Sequence, residues 1–336
     1  MARMEKKLRW GILGTGTIAR KFARGLAESR TGALEAVASR SEETLRAFLA
    51  DFPVRGFATY EGLLADANVD IVYISTPHPM HAEWCVSAAR AGKHILCEKP
   101  LTMNALEAAV VIEAARSAHV FLMEAFMYRC HPQTARLVEL IREGSIGAVR
   151  LVQAEFSFRA DWKPEGRLLN PALGGGGILD VGCYCVSMAR LIAGVTQGLP
   201  FAEPVELKAV GQIGETGVDE LAVAVLKFPG GMLAQVSTGV QMWLENSVRV
   251  WGETGHIVVP SPWIISRERG GSVLQLHRQD AAMEEIKIDA DRGIYAIEAD
   301  AVAESIGAGE SPAMSWADSY GNMRALDRWR EGIADC

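Results

Sequence analysis

The sequence predicts two domains of different class: a doubly wound α/β domain with a parallel sheet over residues 1–123, and an α+β domain built on a large, mostly antiparallel sheet over residues 124–336. Three observations predict it. The 336 residues exceed the length at which one hydrophobic core usually stops growing. The N-terminal part alternates short β-rich runs with helical patterns, as a parallel sheet covered by helices requires. From Val149 onward an apolar period of two takes over.

The elements follow in order. LRWGIL (8–13) is an apolar strand that feeds glycines, and IARKFARGLAES continues as a helix. LEAVASR (34–40) is the second strand, and SEETLRAFLADF is the helix after it, with Ser41 as its N-cap and Thr44 where a capping box would place Glu. VDIVYIS (69–75), the helix HAEWCVSAARAG closed by Gly92, the strand HILCEK, a helix from 104 to about 118 and the run VFLMEAF complete the first domain. After a helix over 132–143 come VRLVQAEFSF, VELKAVGQI, DELAVAVLKF, MLAQVSTGV, NSVRVWGE, HIVVP and SVLQLH, alternating runs joined by GETG and PGG turns that describe an antiparallel sheet burying one face. Helices from about 177 to 192 and 294 to 307 interrupt it, and a short one from Tyr320 to Glu331 closes the chain.

Composition excludes several classes. Apolar residues at 49% and charged residues at 22% are the proportions of an ordinary folded chain, not a disordered or fibrous one. Lys plus Arg 34 against Asp plus Glu 41 gives a net charge of -7 without a basic block, which argues against a nucleic-acid partner. No uninterrupted apolar run reaches the roughly 18 residues of a membrane span. MARMEKKLRWGILGTG reads as a first strand and not a signal peptide, and the expected location is cytoplasmic. Cys85, Cys97, Cys130, Cys183, Cys185 and Cys336 lack the spacing of a disulfide framework or a zinc site, so reduced thiols and no metal are expected.

Gly14-Thr15-Gly16-Thr17-Ile18-Ala19 follows the first strand and opens a helix, giving the G-x-G-x-x-A of a Rossmann dinucleotide site. Gly14 permits the turn, Gly16 admits a pyrophosphate, Ala19 lets the helix pack on the sheet, and the N–H groups of the helix start hold the phosphates. At the end of the second strand an NAD site carries an acid for the ribose 2'-hydroxyl, whereas this chain has Ser39-Arg40-Ser41. Arg40 can fork onto a 2'-phosphate and Ser39 can add a hydroxyl, so NADP(H) is expected in preference to NAD(H).

Two segments offer chemistry. Cys97-Glu98-Lys99-Pro100 ends the fourth strand, at the sheet edge where open α/β sheets place ligands. Gly174 to Gly177 precede Ile178-Leu179-Asp180-Val181-Gly182-Cys183-Tyr184, and four glycines imply close approach of the backbone to a ligand or a neighbour. Asp180 and Tyr184, four residues apart, share one face of the helix that follows.

These segments, with ISTPHPMHAEWCVSAARAGKHILCEKP and MEAFMYRCHPQ in the same order, resemble the glucose-fructose oxidoreductase, inositol dehydrogenase and MocA family over nearly the whole chain. Within that family the chain resembles the branch with dimeric dihydrodiol dehydrogenase, NADP-dependent xylose dehydrogenase and glucose-fructose oxidoreductase. The resemblance implies hydride exchange between a nicotinamide and a hydroxyl-bearing carbon of a sugar, cyclic polyol or trans-dihydrodiol. It implies that Lys99 and Asp180 are catalytic and that Tyr184, where many relatives carry histidine, is the acid/base. It also implies that Thr76, Pro77, His78 and His81 line the nicotinamide ribose and phosphates, with Glu98 and Lys99 beside the cofactor, and that the C-terminal sheet, which has too few helices to cover both faces, pairs in a homodimer.

Chemistry supports the same assignment. Alcohol oxidation needs a proton acceptor and carbonyl reduction a donor to the developing alkoxide. A free phenol has a pKa near 10, and a nearby ammonium favours phenolate, so Lys99 is expected to tune Tyr184 and to stabilise the substrate oxygen, with Asp180 orienting hydroxyls or the lysine. Arg129, His131, Arg159 and Trp162 could face the cleft or serve structure, and Trp243 and Trp251 on alternating strands read as core or interface. The rival class is a catalytically silent NADP(H)-sensing regulator, against which the intact Lys99, Asp180 and Tyr184 argue.

Overall fold

A computed structural model describes residues 7–265 and 271–334 of the chain. The first sheet is parallel throughout and covered on both faces, which is why its strands read as unbroken apolar runs. Its elements are β1 (Leu8–Leu13), α1 (Thr17–Glu28), β2 (Gly32–Ala38), α2 (Glu42–Asp51), β3 (Arg55–Phe57), α3 (Tyr60–Leu64), β4 (Ile71–Ile74), α4 (His81–Arg90), β5 (His94–Cys97), α5 (Ala105–Ser117) and β6 (Leu122–Glu124). The order is β3-β2-β1-β4-β5-β6, so the chain reverses direction across the sheet between β1 and β4. Ligands bind at such a reversal, outside the strand C-termini. Ser41 caps α2 by accepting from the Thr44 amide, and Gly92 (φ 70°) follows α4 in a left-handed conformation.

The second sheet is built from β7 (Val149–Ser157), β8 (Glu206–Ile213), β9 (Asp219–Lys227), β10 (Leu233–Gly239), β11 (Val248–Gly252), β12 (Gly255–Val259), β13 (Ser272–Arg278) and β14 (Glu284–Ile288). The order is β14-β13-β12-β11-β7-β10-β9-β8, antiparallel except for the parallel pair β7 and β10. One face buries Val152, Ala154, Ala224, Val236, Val250 and Ile257, and α6 (Pro132–Arg142) and α7 (Cys183–Val195) pack on the sheet. On the opposite face Val210, Val225 and Leu233 are exposed, and the rings of Trp251, His256 and His277 stack in a row at 4.3 Å spacing. Every residue of α7 is buried. The segment Pro171–Val195 contains an 18-residue window with the mean hydropathy, 1.6, of a membrane span, yet that window is wholly buried inside the protein.

Helix α8 (Ile294–Ser305) returns to the first sheet and packs on α1, and α9 (Trp316–Ala334) lies against β8 and α5. Asp300 of α8 accepts from Ser29 Oγ at 2.6 Å, Thr31 Oγ1 at 2.6 Å and the Thr31 amide at 3.0 Å.

Several sequence expectations need correction. β3, α3 and β14 are not anticipated, because three- and five-residue elements carry little periodicity and β14 is a charged edge strand. β2 ends at Ala38, so Arg40 stands in the loop beyond it. The last helix begins at Trp316, four residues earlier than expected. Trp243 lies between β10 and β11 and is 81% exposed, so it is neither on a strand nor in the core.

Candidate active site

The cleft opens where β1 and β4 part, and it reaches across to the π turn (Ile178–Gly182) that precedes α7. Its volume is about 570 Å³, within the range of small-molecule and cofactor sites. One end is the glycine turn. Gly14 adopts φ 107°, and a Cβ there would lie 3.0 Å from Ser75 Oγ, so the turn itself demands glycine. Gly16 differs, because a Cβ at Gly16 would meet no protein atom within 4 Å. Gly16 lines the cleft and caps α1 without a side-chain hydrogen bond, which leaves a cradle that admits a phosphate. Thr15, Thr17, Ile18 and Ser39 line the same end, and the Thr15, Ser39 and Thr44 hydroxyls meet there at 2.9 to 3.3 Å.

Arg40 lies outside this lining. Its guanidinium stacks over the Tyr60 ring at 5.8 Å and donates to Met80 Sδ at 3.4 Å, on the exposed margin of the cleft. Thr76, Pro77 and His78 line the middle, whereas His81 is fully buried behind them. The two His81 ring nitrogens lie 2.9 Å from Pro100 O and 3.0 Å from Thr76 O, so this side chain braces the loop and does not enter the cleft. Burial lowers His78 to about 3 and His81 to about 4, so both are neutral at physiological pH. Glu98 lines the cleft and accepts a hydrogen bond from Tyr73 Oη. Burial pushes its carboxyl up against the opposing pull of Lys99.

At the other end Lys99, Asp180 and Tyr184 come together from separate elements. Lys99 Nζ donates to the Asp180 carbonyl at 2.6 Å and stands 3.7 Å from Asp180 Oδ1. Arg167 Nη1 binds the same Oδ1 at 2.8 Å. Burial alone would raise Asp180, but Lys99 and Arg167 together hold it at about 2. Asp180 sits in a single π turn, a distortion frequent at functional sites, and not in the regular helix expected from its spacing to Tyr184.

Tyr184 corrects a further expectation. The Lys99 ammonium lies 5.0 Å from the centroid of its ring, on the face and not at the hydroxyl. The hydroxyl donates to Met127 Sδ at 3.5 Å, and Phe126, Phe156, Tyr128 and Trp263 surround the ring at 5.1 to 5.9 Å. Burial, reinforced by the nearby Glu98 carboxyl, raises this phenol well above its ordinary range. Lys99 therefore does not turn Tyr184 into a phenolate in this structure.

The glycine tract answers to neighbours within the chain. A Cβ on Gly177 would lie 2.9 Å from Gly239 Cα, and one on Gly174 would lie 2.8 Å from Met103 Sδ. The secondary candidates divide. Arg129 is buried against Asp318 at 2.5 Å, and His131 is the N-cap of α6, so both are structural. Arg159 is exposed, bridging to Gln241, and Trp162 is 52% exposed, and neither lines the cleft. Sequence reading missed Arg167, Tyr60, Met127, Phe156, Ile264 and Tyr295, all of which line it. Loop position hides Arg167, and the others look like ordinary core residues.

Residues 8–126 match the oxidoreductase family with NAD-binding Rossmann fold, and residues 134–258 match the GFO/IDH/MocA C-terminal domain. The chain is 37% identical over 259 residues to trans-1,2-dihydrobenzene-1,2-diol dehydrogenase of Mus musculus, covering 76% of this chain and 75% of the relative. It is 34% identical to D-xylose 1-dehydrogenase (NADP(+)) 2 of Haloferax volcanii, covering 95% of each chain. Among solved structures, the 3-ketoreductase KijD10 of Actinomadura kijaniata in complex with NADP and TDP-benzene superposes with a TM-score of 0.87 at 30% identity, covering 98% of each chain.

Proposed function

The chain belongs to the GFO/IDH/MocA oxidoreductase family, and on that premise we propose that it is an NADP-dependent oxidoreductase acting on the CH–OH or C=O carbon of a sugar, cyclic polyol or dihydrodiol. The observation that carries this reading is the meeting of Lys99, Asp180 and Tyr184 in the same cleft as the Gly14-to-Gly16 turn. The cofactor is held by residues 1–123, and the substrate side and the subunit contact are supplied by residues 124–336.

The nicotinamide supplies hydride transfer, and the chain supplies everything else. Lys99 places a positive charge where a substrate oxygen becomes negative, held there by the Asp180 carbonyl. Asp180, ionised and clamped by Arg167, accepts substrate hydroxyls. Tyr184 Oη moves the proton. Its present acceptor is a thioether sulfur, a weak partner that a substrate oxygen can replace. A phenol raised in this way keeps its proton at neutral pH, so it is competent as the acid in carbonyl reduction. Each pKa unit above the working pH costs the reverse proton abstraction about 1.4 kcal/mol. Met127, Phe156 and Ile264 give the substrate end an apolar wall facing these polar groups.

The open face of the C-terminal sheet, with Val210, Val225 and Leu233 exposed, supports a homodimer built on that face. A panel of aldoses, cyclic polyols and trans-diols, with their carbonyl counterparts, assayed with both nicotinamide phosphates and both non-phosphorylated forms, tests the activity. Turnover with NADP(H) is expected. Tight NADP(H) binding with no turnover of any member would move the assignment to a sensor.

A further inference from the structure

The turn that carries Asp180 is held by a residue outside the cleft. Asp219, the first residue of β9, is 8% exposed and does not line the cleft. Its Oδ2 accepts from the Ile178 amide at 2.7 Å, at the start of the π turn. Its Oδ1 occupies the space beside Gly176, where a Cβ would lie only 2.1 Å away, and Gly176 adopts φ 107°. From the other side Thr238 Oγ1 of β10 lies 3.0 Å from both Gly177 O and Phe156 O. A donor of the turn is thus bound by a carboxylate and an acceptor faces a hydroxyl, from the neighbouring strands β9 and β10 of the second sheet.

We propose that Asp219 is a positioning residue for the reaction, fixing through the Ile178 amide the turn that places Asp180 and leads into Tyr184. The assignment rests on the reading of Asp180 and Tyr184 as reacting-site residues. Its physical basis is the geometry of a π turn, in which the opening amides find no regular intrahelical partner and the backbone can relax toward an α-helix unless something outside holds it. That relaxation would rotate Asp180 away from Lys99, and displacements of about 1 Å can cost a reaction roughly a hundredfold. Glycine at 176 follows from the same arrangement, because a side chain there would expel the carboxylate.

The test compares Asp219→Ala, Asp219→Asn and Tyr184→Phe in the full-length protein. Rates are expressed per NADPH-binding site, so misfolded material does not count. Asp219→Ala is expected to lower kcat about tenfold or more, to leave the NADPH Kd within about twofold, and to enlarge the primary isotope effect with 4-deuterated NADPH. Asp219→Asn, which keeps one acceptor for the Ile178 amide, is expected to fall between Asp219→Ala and the unsubstituted protein, and it carries the test if the alanine variant does not fold. A role confined to stability would change the number of binding sites and the melting temperature but neither the per-site kcat nor the isotope effect, and that result overturns the proposal. An unimpaired Tyr184→Phe variant would overturn the site reading beneath it, while an impaired Tyr184→Phe beside per-site wild-type kcat in both Asp219 variants would overturn only the role of Asp219.

Discussion

Lys99 Nζ grips the backbone carbonyl of Asp180 at 2.6 Å while standing 3.7 Å from the carboxylate of the same residue. A lysine delivered by the end of β5 is thus tied to the turn before α7, so the ammonium is fixed by the second part of the chain before any substrate arrives. Removing it should damage the reaction at least as much as removing the phenol. Lys99→Arg should recover little, because a broad planar guanidinium cannot take the place of a compact ammonium between a carbonyl and a carboxylate.

Tyr184→Phe should lower kcat for carbonyl reduction by roughly 10²-fold or more with NADPH affinity retained. Because burial holds the phenol protonated, the reductive rate of the unsubstituted enzyme should stay level from neutral pH through the ordinary phenol range. Steady-state kinetics across pH 6 to 10 check both statements. A near-normal kcat for the phenylalanine variant would hand the proton to Lys99.

Arg167 and Lys99 hold Asp180 ionised down to about pH 2, against the cost of burial. Removing Arg167 takes away one of the two opposing charges, so the Asp180 pKa should rise and the acid limb of the kcat profile should move to higher pH. Arg167→Ala should show that shift and Arg167→Lys should largely reverse it. An acid limb unchanged in Arg167→Ala would show that the contact does not control the carboxylate.

Arg40→Ala should weaken NADP(H) binding by about tenfold to a hundredfold and leave NAD(H) nearly unaffected, the loss expected for one charge-assisted contact to a phosphate. Direct titration with both cofactors checks it. Equal loss for both would show that the arginine does not read the 2'-phosphate from its place beside Tyr60.

Asp318 receives Arg129 and Arg190, each at 2.5 Å, deep between α7 and α9. Asp318→Ala would leave two buried guanidinium groups without that partner and should cost roughly 3 kcal/mol or more of stability. Thermal melts read the loss, and NADPH affinity at low temperature should be preserved.

Val210→Glu together with Val225→Glu should convert a dimer to a monomer, because buried like charges would then face each other across a two-fold contact. Light scattering distinguishes the two masses. A single-subunit mass for the unsubstituted protein would contradict the dimer.

The Rossmann half was readable from sequence because its information is local: β1 runs into Gly14 and Gly16, α1 follows, and each apolar run is one buried strand. The approach of Lys99 to Asp180 agrees with what the family resemblance implies for the two residues, whereas the glycine tract before Asp180 packs on neighbours within the chain. Arg167 was not, because nothing in GRLLN says that a loop arginine folds back onto a residue 13 positions later. The state of Tyr184 departs from the sequence expectation for a related reason. Sequence places an ammonium near a phenol but does not say that it lies over the ring face, or that an aromatic cage desolvates the hydroxyl. Burial and orientation are properties of the packed chain, and they reverse the sign of the expected pKa shift.

Helix α8 has a consequence for how the protein can be divided. It contributes Tyr295 to the cleft, its Tyr295 Cβ lies 2.5 Å from where a Cβ on Gly25 would sit, and Asp300 collects the Ser29 and Thr31 hydroxyls. The nucleotide-binding fold is therefore completed by a segment translated some 170 residues after its last strand. A gene fragment ending after β6 would encode all six strands and still leave one side of α1 bare, so the ribosome must run on through α8 before the first sheet acquires its final cover.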